Sequence, residues 1–511
     1  MSKNILVFSG GIAGLTVAHE LINKGFNVTV VEKDNILGGM ARSRRETNNI
    51  PSEHSWRGYA PFYNNAFDIM KQILLNNNLT ASAGSLLEQS SNTVYENLST
   101  PIKFFLMRDI SASYDMILNW NDYLCVSYYL LKYLCTDQRR NEYYKIKLMD
   151  IFKNKLSDDG YRFLVDFMCG PGYGMEKKDA SYAHYFKILS IFIQNQSIYK
   201  NNHKCTQNMS CKNYISQANE KWHVMNQPTS EAWFDPWYIY LKDKGVKFLM
   251  NSELKKFNIE NNEIKSCIVN NQIMYADEYI LCINPFNAEK VFLNSTMTNL
   301  YNQHNLLNKN TVSRQVAFRL GFNKNIKFPK DNMAFIFPDS EFNITLYPQE
   351  LFWKDIKLDN DGKIKSLWSG TILELYRNST IFNKPGYQLT KDELMQEIIY
   401  QIIRSHSLQK LIFDNNQFYL TKDDIYYKEI WYEWNTNPET KELEQDNKKW
   451  VTNIYNEDYR PNYNTEYKNL YIGGSHAKTS IIVWSMEGAV ESGKILSNII
   501  LKKYNKPLTY L

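Results

Sequence analysis

Apolar positions open the chain in a short run, Asn4–Phe8 (NILVF), and return in a second run at Asn27–Val31 (NVTVV). Runs of this length bounded by turn residues predict buried strands. Between them Leu15, Ala18, Leu21 and Ile22 recur at helical spacing, which predicts an amphipathic helix over 15–24. Ser9–Gly14 (SGGIAG) predicts the tight turn into that helix, and Gly25 its stop. The same periodicity predicts helices over 66–75, 109–134, 145–155, 156–167, 179–194 and 391–406, with a breaker at 169–174 (CGPGYG). Thr229 or Ser230 is placed to cap a helix carrying Trp233, Trp237, Tyr240 and Leu241. Strands are predicted over 246–249, 252–257 and 279–283, and a hairpin joins 263–269 to 272–275 around Asn270 and Asn271. A strand pair broken at Pro101 is expected over 94–105, and alternating positions predict strands over 312–320, 334–337, 366–373 and 424–431. Near the end come a strand over 470–472, a turn at Gly473 and Gly474, and a helix from Met486.

The opening strand, glycine-rich turn, helix and second strand ending in Glu32 form a unit suited to holding a dinucleotide. The turn is Gly10, Gly11, Ile12, Ala13 and Gly14. Glycine at 11 lets the backbone approach a pyrophosphate, and glycine at 14 lets the helix pack on the strand. The helix N-terminus adds unpaired N–H groups and the positive end of its dipole. Glu32, followed by Lys33, stands where an acid accepts hydrogen bonds from ribose hydroxyls. The pattern departs from G-x-G-x-x-G at its first position, Ser9, which must tolerate glycine-like dihedrals or relax the turn.

Three further stretches follow in order: 37–43 (LGGMARS), 51–63 (PSEHSWRGYAPFY) and 469–493 (NLYIGGSHAKTSIIVWSMEGAVESG). Together with the wording PTSEAWFDPW at 228–237, they resemble the flavin amine oxidase and phytoene desaturase superfamily. The resemblance covers residues 1–75, 225–290 and 465–500. It implies an FAD-dependent oxidoreductase of α/β class, α+β overall. Its discontinuous Rossmann-like FAD domain would comprise 1–75, 215–290 and 456–511, with a helical cap at 76–214 and a mixed-sheet substrate domain at 291–455 inserted. The resemblance implies that Gly38, Gly39, Met40, Ala41 and Arg42 lie along the pyrophosphate and that Leu254 borders the adenine. It implies that Gly474, Ser475, Met486, Glu487, Gly488 and Ala489 meet the isoalloxazine, with the last helix setting its dipole against the charge of a reduced flavin. Many relatives carry an acid where this chain has Ser475. His54, Arg57 and Tyr59 are the catalytic candidates, in a stretch that passes over the flavin ring in the superfamily, with Arg57 equally open as a flavin or structural partner. Members often use a lysine that holds a water near the flavin N5, and no lysine here sits in a matching motif.

The implied reaction moves hydride from a C–N or C–H bond of a small-molecule substrate, apolar or amine, to FAD. Three functions stay open: an amine-type oxidase, an isoprenoid or carotenoid desaturase, isomerase or dehydroxylase at a membrane surface, and a non-catalytic dinucleotide-binding protein.

Composition narrows this only slightly. At 511 residues the chain is long enough for more than one domain and a large cofactor. The net charge of +5 is spread along the sequence, which does not favour nucleic acid as a partner. Seven cysteines without C-x-x-C suit a reduced, cytoplasmic protein, and eight histidines without ligand spacing predict no metal. The first strand starts too early for a signal peptide, and no apolar run is long enough to span a membrane. The nearest candidate, 118–135 (LNWNDYLCVSYYLLKYLC), is expected to pack within the cap, with contact at a membrane surface left open.

Overall fold

The two opening apolar runs form adjacent parallel strands, β1 (Asn4–Phe8) and β2 (Asn27–Val31), in register from Asn4↔Asn27 to Phe8↔Val31. The structure, a computed structural model, describes residues 2–511 apart from 56, 76–92, 99–102, 108–117, 137–139, 173, 192, 194–221, 298–305, 308–311, 330–332, 338–339 and 354. Helix α1 spans Ile12–Ile22, starting earlier than the apolar spacing implies. The reason is Gly11, which is extended (φ −78°, ψ 174°) and passes the turn directly into the helix as its N-cap.

Five parallel strands make one sheet, in the order Leu470–Ile472, Glu278–Leu281, β1, β2, Lys247–Leu249. Segments far apart in sequence thus meet edge to edge. The C-terminal helix Met486–Lys503 lies against α1, close enough that a Cβ on Gly493 would stand 2.7 Å from the Ala13 carbonyl oxygen.

A second sheet has six strands in the order Ile425–Ile430, Val316–Phe322, Ser366–Ile372, Ile344–Pro348, Met333–Phe337, Lys103–Leu106. It is antiparallel except for the last pair. Strands expected over 312–320 and 366–373 are found at Val316–Phe322 and Ser366–Ile372, and with Ile344–Pro348, which was not expected, they are buried at every position. Helices Lys391–Ile403 and His406–Asn416 share a core with this sheet. The first is the helix expected over 391–406, ending at Ile403; the second was not expected and starts where Ser405 Oγ accepts from Leu408 N–H. Strand Lys103–Leu106 pairs with Met333–Phe337 rather than with its own neighbourhood, where Val94–Asn97 is a 3-10 turn.

Helix α2 spans Asn64–Gln72 and α3 spans Trp120–Leu134; the part of that expected helix at 109–117 lies outside the described residues. Of 145–155 only Leu148–Phe152 is α-helical, and π-helical turns over Arg162–Gly172 run through part of the expected breaker. Neither Thr229 nor Ser230 caps the next helix. Thr229 is itself helical and donates N–H and Oγ1–H to Glu53 Oε1, both at 2.8 Å, while Ser230 exchanges hydrogen bonds with Ser43. The tryptophans that follow, Trp233 and Trp237, stack in parallel 5.6 Å apart in the core.

Helix α3 differs most from expectation. Its inward side is polar at Asp122, whose carboxylate accepts from Ser157 N–H (2.7 Å) and Ser157 Oγ–H (2.6 Å). Its outward side carries Trp120, Tyr123, Leu124, Tyr128, Leu131 and Leu134, with Trp120 81% and Leu124 64% exposed. Among the described residues no helix is long and apolar enough to cross a membrane, and no group of three His, Cys, Asp or Glu residues is placed to hold a metal.

Candidate functional site

A cavity of about 430 Å³ lies at the C-terminal ends of the parallel strands, where Phe8, Val31, Cys282 and Gly474 line it. Open parallel sheets bind ligands at this crevice. Gly11, Ile12 and Ala13 line it where α1 begins without a side-chain cap, which leaves the first N–H groups of the helix for a ligand. Gly38, Gly39, Met40 and Ala41 line it from the facing turn. Gly38 N–H donates to the Gly10 carbonyl at 2.8 Å, and a Cβ on Gly39 would stand 3.2 Å from Gly11 Cα.

Gly10 and Gly14 lie outside the lining and support it. Gly10 N–H donates to Glu32 Oε2 at 2.6 Å. Gly14 sits beneath Ser9, whose carbonyl oxygen is 2.0 Å from where a Cβ would be. Ser9 takes the glycine-like conformation, with φ 137°. Its hydroxyl accepts from Gly11 N–H at 2.9 Å, which offsets part of the strain. Ser9→Gly is therefore expected to raise stability by about 1 kcal/mol, as relief of one to three kcal/mol of strain less one hydrogen bond. Thermal unfolding checks this, and an unchanged or lower Tm would contradict it.

Glu32 lines the cavity with Oε1 accepting from Asp34 N–H at 3.0 Å. Burial pushes its carboxyl up, against the two backbone N–H bonds. A carboxylate has about four acceptor sites, so capacity remains for a hydroxyl. Lys33 reaches Asn447 Oδ1 at 2.7 Å. Arg42 spends three donors on Asp34 (2.8 Å), the Tyr432 hydroxyl (2.7 Å) and Glu433 (2.9 Å). It ties the segment that follows strand Ile425–Ile430 to the cavity wall. Leu254, Gly474, Ser475, Met486 and Ala489 line the cavity as well.

Glu487 and Gly488 do not line it. Glu487 turns away and caps α2, accepting from Asn65 N–H (2.9 Å), Asn65 Nδ2–H (3.0 Å) and Ala66 N–H (2.9 Å). Burial pushes its carboxyl up to about 7. Gly488 N–H donates to the N-cap Ser485 Oγ at 3.0 Å.

Of the catalytic candidates, His54 and Arg57 line the cavity and Tyr59 does not. Tyr59 is fully buried against Tyr63 and Trp233, and its backbone exchanges hydrogen bonds with His223. His54 is held well below its usual pKa, first by burial and then by the charges of Arg57 and Lys449. As a neutral ring it accepts at Nε2 from Gln445 Nε2–H (2.5 Å), which also donates to Glu433. Trp56 lies outside the described residues.

Residues 10–73 match the family of NAD(P)-binding Rossmann-like domains. The chain is similar in structure to an oxidoreductase from Methanosarcina mazei (TM-score 0.60, 13% identity, covering 96% of this chain and 99% of that one). It is similar to putrescine oxidase bound to putrescine (TM-score 0.62, 9% identity, 98% and 99%) and to CLA-producing fatty acid isomerase from P. acnes (TM-score 0.54, 12% identity, 98% and 98%). The chain has an amine oxidase-like fold. No curated protein matches its sequence.

Within this amine oxidase-like fold the loop after strand Leu443–Gln445 brings one residue that sequence reading did not single out. Lys449 lines the cavity, buried, and donates to Gln315 Oε1 at 2.6 Å. Burial and then the charge of Arg57 push its amine down to about 7. Gly174 makes room for it, since a Cβ there would stand 3.1 Å from Lys449 Nζ. No motif surrounds Lys449 in the sequence, so nothing short of the tertiary contact with Gln315 and Arg57 marks it out.

Proposed function

We propose that the protein is an FAD-dependent oxidoreductase that takes hydride from a C–H or C–N bond of a small molecule. The observation that carries this reading is the approach of Gly11 to the facing glycines 38–39, beside the uncapped start of α1. There bare backbone and free N–H groups border a cavity large enough for a sizeable ligand. These residues fit the pyrophosphate of FAD, with Glu32 at the ribose and Met486 and Ala489 beside the ring. When bound, FAD supplies the hydride acceptor. The chain's own residues orient the substrate and handle its proton. Lys449, whose amine is pushed down to about 7, is the group we assign to hold a water or accept a proton. His54 keeps a fixed neutral tautomer through Gln445. The proposed division of the chain keeps 1–75, 215–290 and 456–511 for the cofactor, 76–214 as cap and 291–455 for substrate.

The test is flavin content. The purified protein is expected to release a yellow flavin on heating, and Glu32→Ala to weaken FAD binding about 10–100-fold, as loss of a charged hydrogen-bond acceptor does. Unchanged flavin occupancy in the variant would count against the assignment.

A second reading, a lipid-like substrate taken at a membrane surface, is favoured by the outward apolar face of α3. The cation Lys155 lies beside that helix, with Nζ 2.6 Å from the Tyr129 hydroxyl, and Lys132 is exposed on it. Aromatic and leucine side chains bordered by lysines suit an anionic lipid interface. Co-sedimentation with phosphatidylglycerol vesicles, lost in Leu124→Glu/Leu131→Glu, is the expected result. A protein that stays in the supernatant would refute it.

A further inference from the structure

Resting on the flavin reading for the bond that reacts, one feature of the cavity speaks to what the substrate must carry. Arg57 lines the cavity together with His54, Ser55 and Tyr63 of the 51–63 stretch. Among the described residues its terminal nitrogens donate to two neutral acceptors, Ser55 Oγ and the Met40 carbonyl, each at 2.5 Å, and its buried Nε has no acceptor. The carboxylate that acts on it most, Glu53, forms no ion pair with it, and its Oε1 accepts instead from Thr229 N–H and Oγ1–H. Its backbone carbonyl, moreover, receives Arg319 at 2.6 Å. Guanidinium keeps its charge even when buried. The protein thus holds a cation at the cavity wall without giving it a bidentate anion.

The neighbouring groups agree with this sign. His54 and Lys449 both feel the positive charge of Arg57, and their other partners are the neutral amides Gln445 and Gln315. The acid that lines this part of the cavity, Glu433, is saturated. It accepts from Arg42 (2.9 Å), Asn447 (2.7 Å), Gln445 (3.1 Å) and Trp431 Nε1–H (3.2 Å). An ammonium group entering here would meet a buried cation and no available carboxylate. The remaining wall is aromatic, from Tyr63, Trp222 and Trp431.

We propose that this site binds its substrate through a carboxylate held on Arg57, with an apolar body against the aromatic wall, and that it rejects cationic amines. The amine oxidase-like fold is thereby turned to an anionic, amphiphilic substrate. Arg57 offers a planar fork that matches a carboxylate, while Lys449 and His54, held by Gln315 and Gln445, remain for proton handling.

Octanoate and octylamine, equal in chain length and opposite in charge, are the probes. Their binding to the purified holoprotein is followed by calorimetry and tryptophan fluorescence, and flavin content is read from the same samples. Octanoate is expected to bind at least ten-fold more tightly than octylamine. Arg57→Gln is expected to weaken octanoate ten-fold or more with flavin content unchanged, and Arg57→Lys to restore part of the affinity. Equal or tighter binding of octylamine by the wild-type protein overturns the proposal without need of any variant. So does octanoate affinity that Arg57→Gln leaves unmoved, or loss of flavin in that variant, which would assign Arg57 to the cofactor. A protein that prefers octanoate through Arg57 yet holds no flavin supports the carboxylate site and removes the flavin reading alone.

Discussion

Lys449→Met is expected to slow substrate-driven bleaching of the flavin by about 10²–10⁴-fold, the range lost when a positioned proton-transfer group is removed. Methionine keeps the length of the side chain and removes the amine that Gln315 holds at 2.6 Å. The same variant is expected to be more stable than the wild type below neutral pH. The folded amine titrates at about 7 against an ordinary value of 10.5, so between those values the unfolded chain binds a proton that the folded chain does not. Stability therefore rises with pH from about 7 to 10.5, and below 7 the folded protein bears the full cost of a charged amine away from water. At about 1.4 kcal/mol per unit that cost is of order several kcal/mol. Comparing Tm of the two proteins at pH 6 and pH 9 isolates it: the advantage of the variant is expected to shrink at the higher pH. With the free amine as the working form, kcat/KM of the wild type is expected to rise with pH through about 7. A variant that reacts at the wild-type rate would remove Lys449 from the mechanism. One that reacts slowly but gains no stability at pH 6 would show that the amine is not buried as described.

Gly14→Ala is expected to cost about 3 kcal/mol or more and to abolish flavin retention. The added Cβ would lie 2.0 Å from the Ser9 carbonyl oxygen and 3.3 Å from Val7 Cγ1. The first clash is with backbone, so no rotamer relieves it, and α1 must lift from β1. That movement is resisted by Leu15, Val17, Ala18 and Leu21, which are fully buried, and by the C-terminal helix on the other flank of α1. Overpacking of flexible side chains costs about 1–3 kcal/mol, and a clash fixed by two backbones belongs at the upper end or beyond. Gly245→Ala is the control: its φ of +97° strains any side chain, but nothing lies within 4 Å of the added Cβ. Urea midpoints of the two variants are expected to separate clearly. Near-equal midpoints would mean that the close approach of α1 to β1 is not what position 14 provides.

The cofactor end of the cavity was largely legible in the sequence because its determinants are local. The strand, turn and helix from Asn4 to Ile22 are fixed by apolar period and glycine placement, and their parallel pairing with Asn27–Val31 follows from the short crossover. Even Ser9 could be singled out, since one position in the turn demands an unusual φ; that serine adopts it, and with which bond, is decided by the fold around Gly11. At the other end of the chain the start of the last helix at Met486 was equally local. Its second residue was not: Glu487 looks like a residue at the mouth of the helix until α2 packs alongside and claims the carboxylate as a cap.

What the sequence by itself determined is therefore the βαβ unit, its glycine turns and Glu32, each specified by residues within one or two turns of one another. What only the tertiary structure decided is the chemistry of the opposite wall. Tyr59 stands two positions from Arg57 yet is withdrawn into the core, while Lys449 comes from far along the chain to stand near Arg57. The apolar face of α3 was plain in the sequence, but only the burial of Asp122 on Ser157 decided which way it points. Charge, burial and proton affinity depend on which groups share a low-dielectric space. That is set by which distant segments meet at the cavity, a long-range outcome that no local pattern encodes.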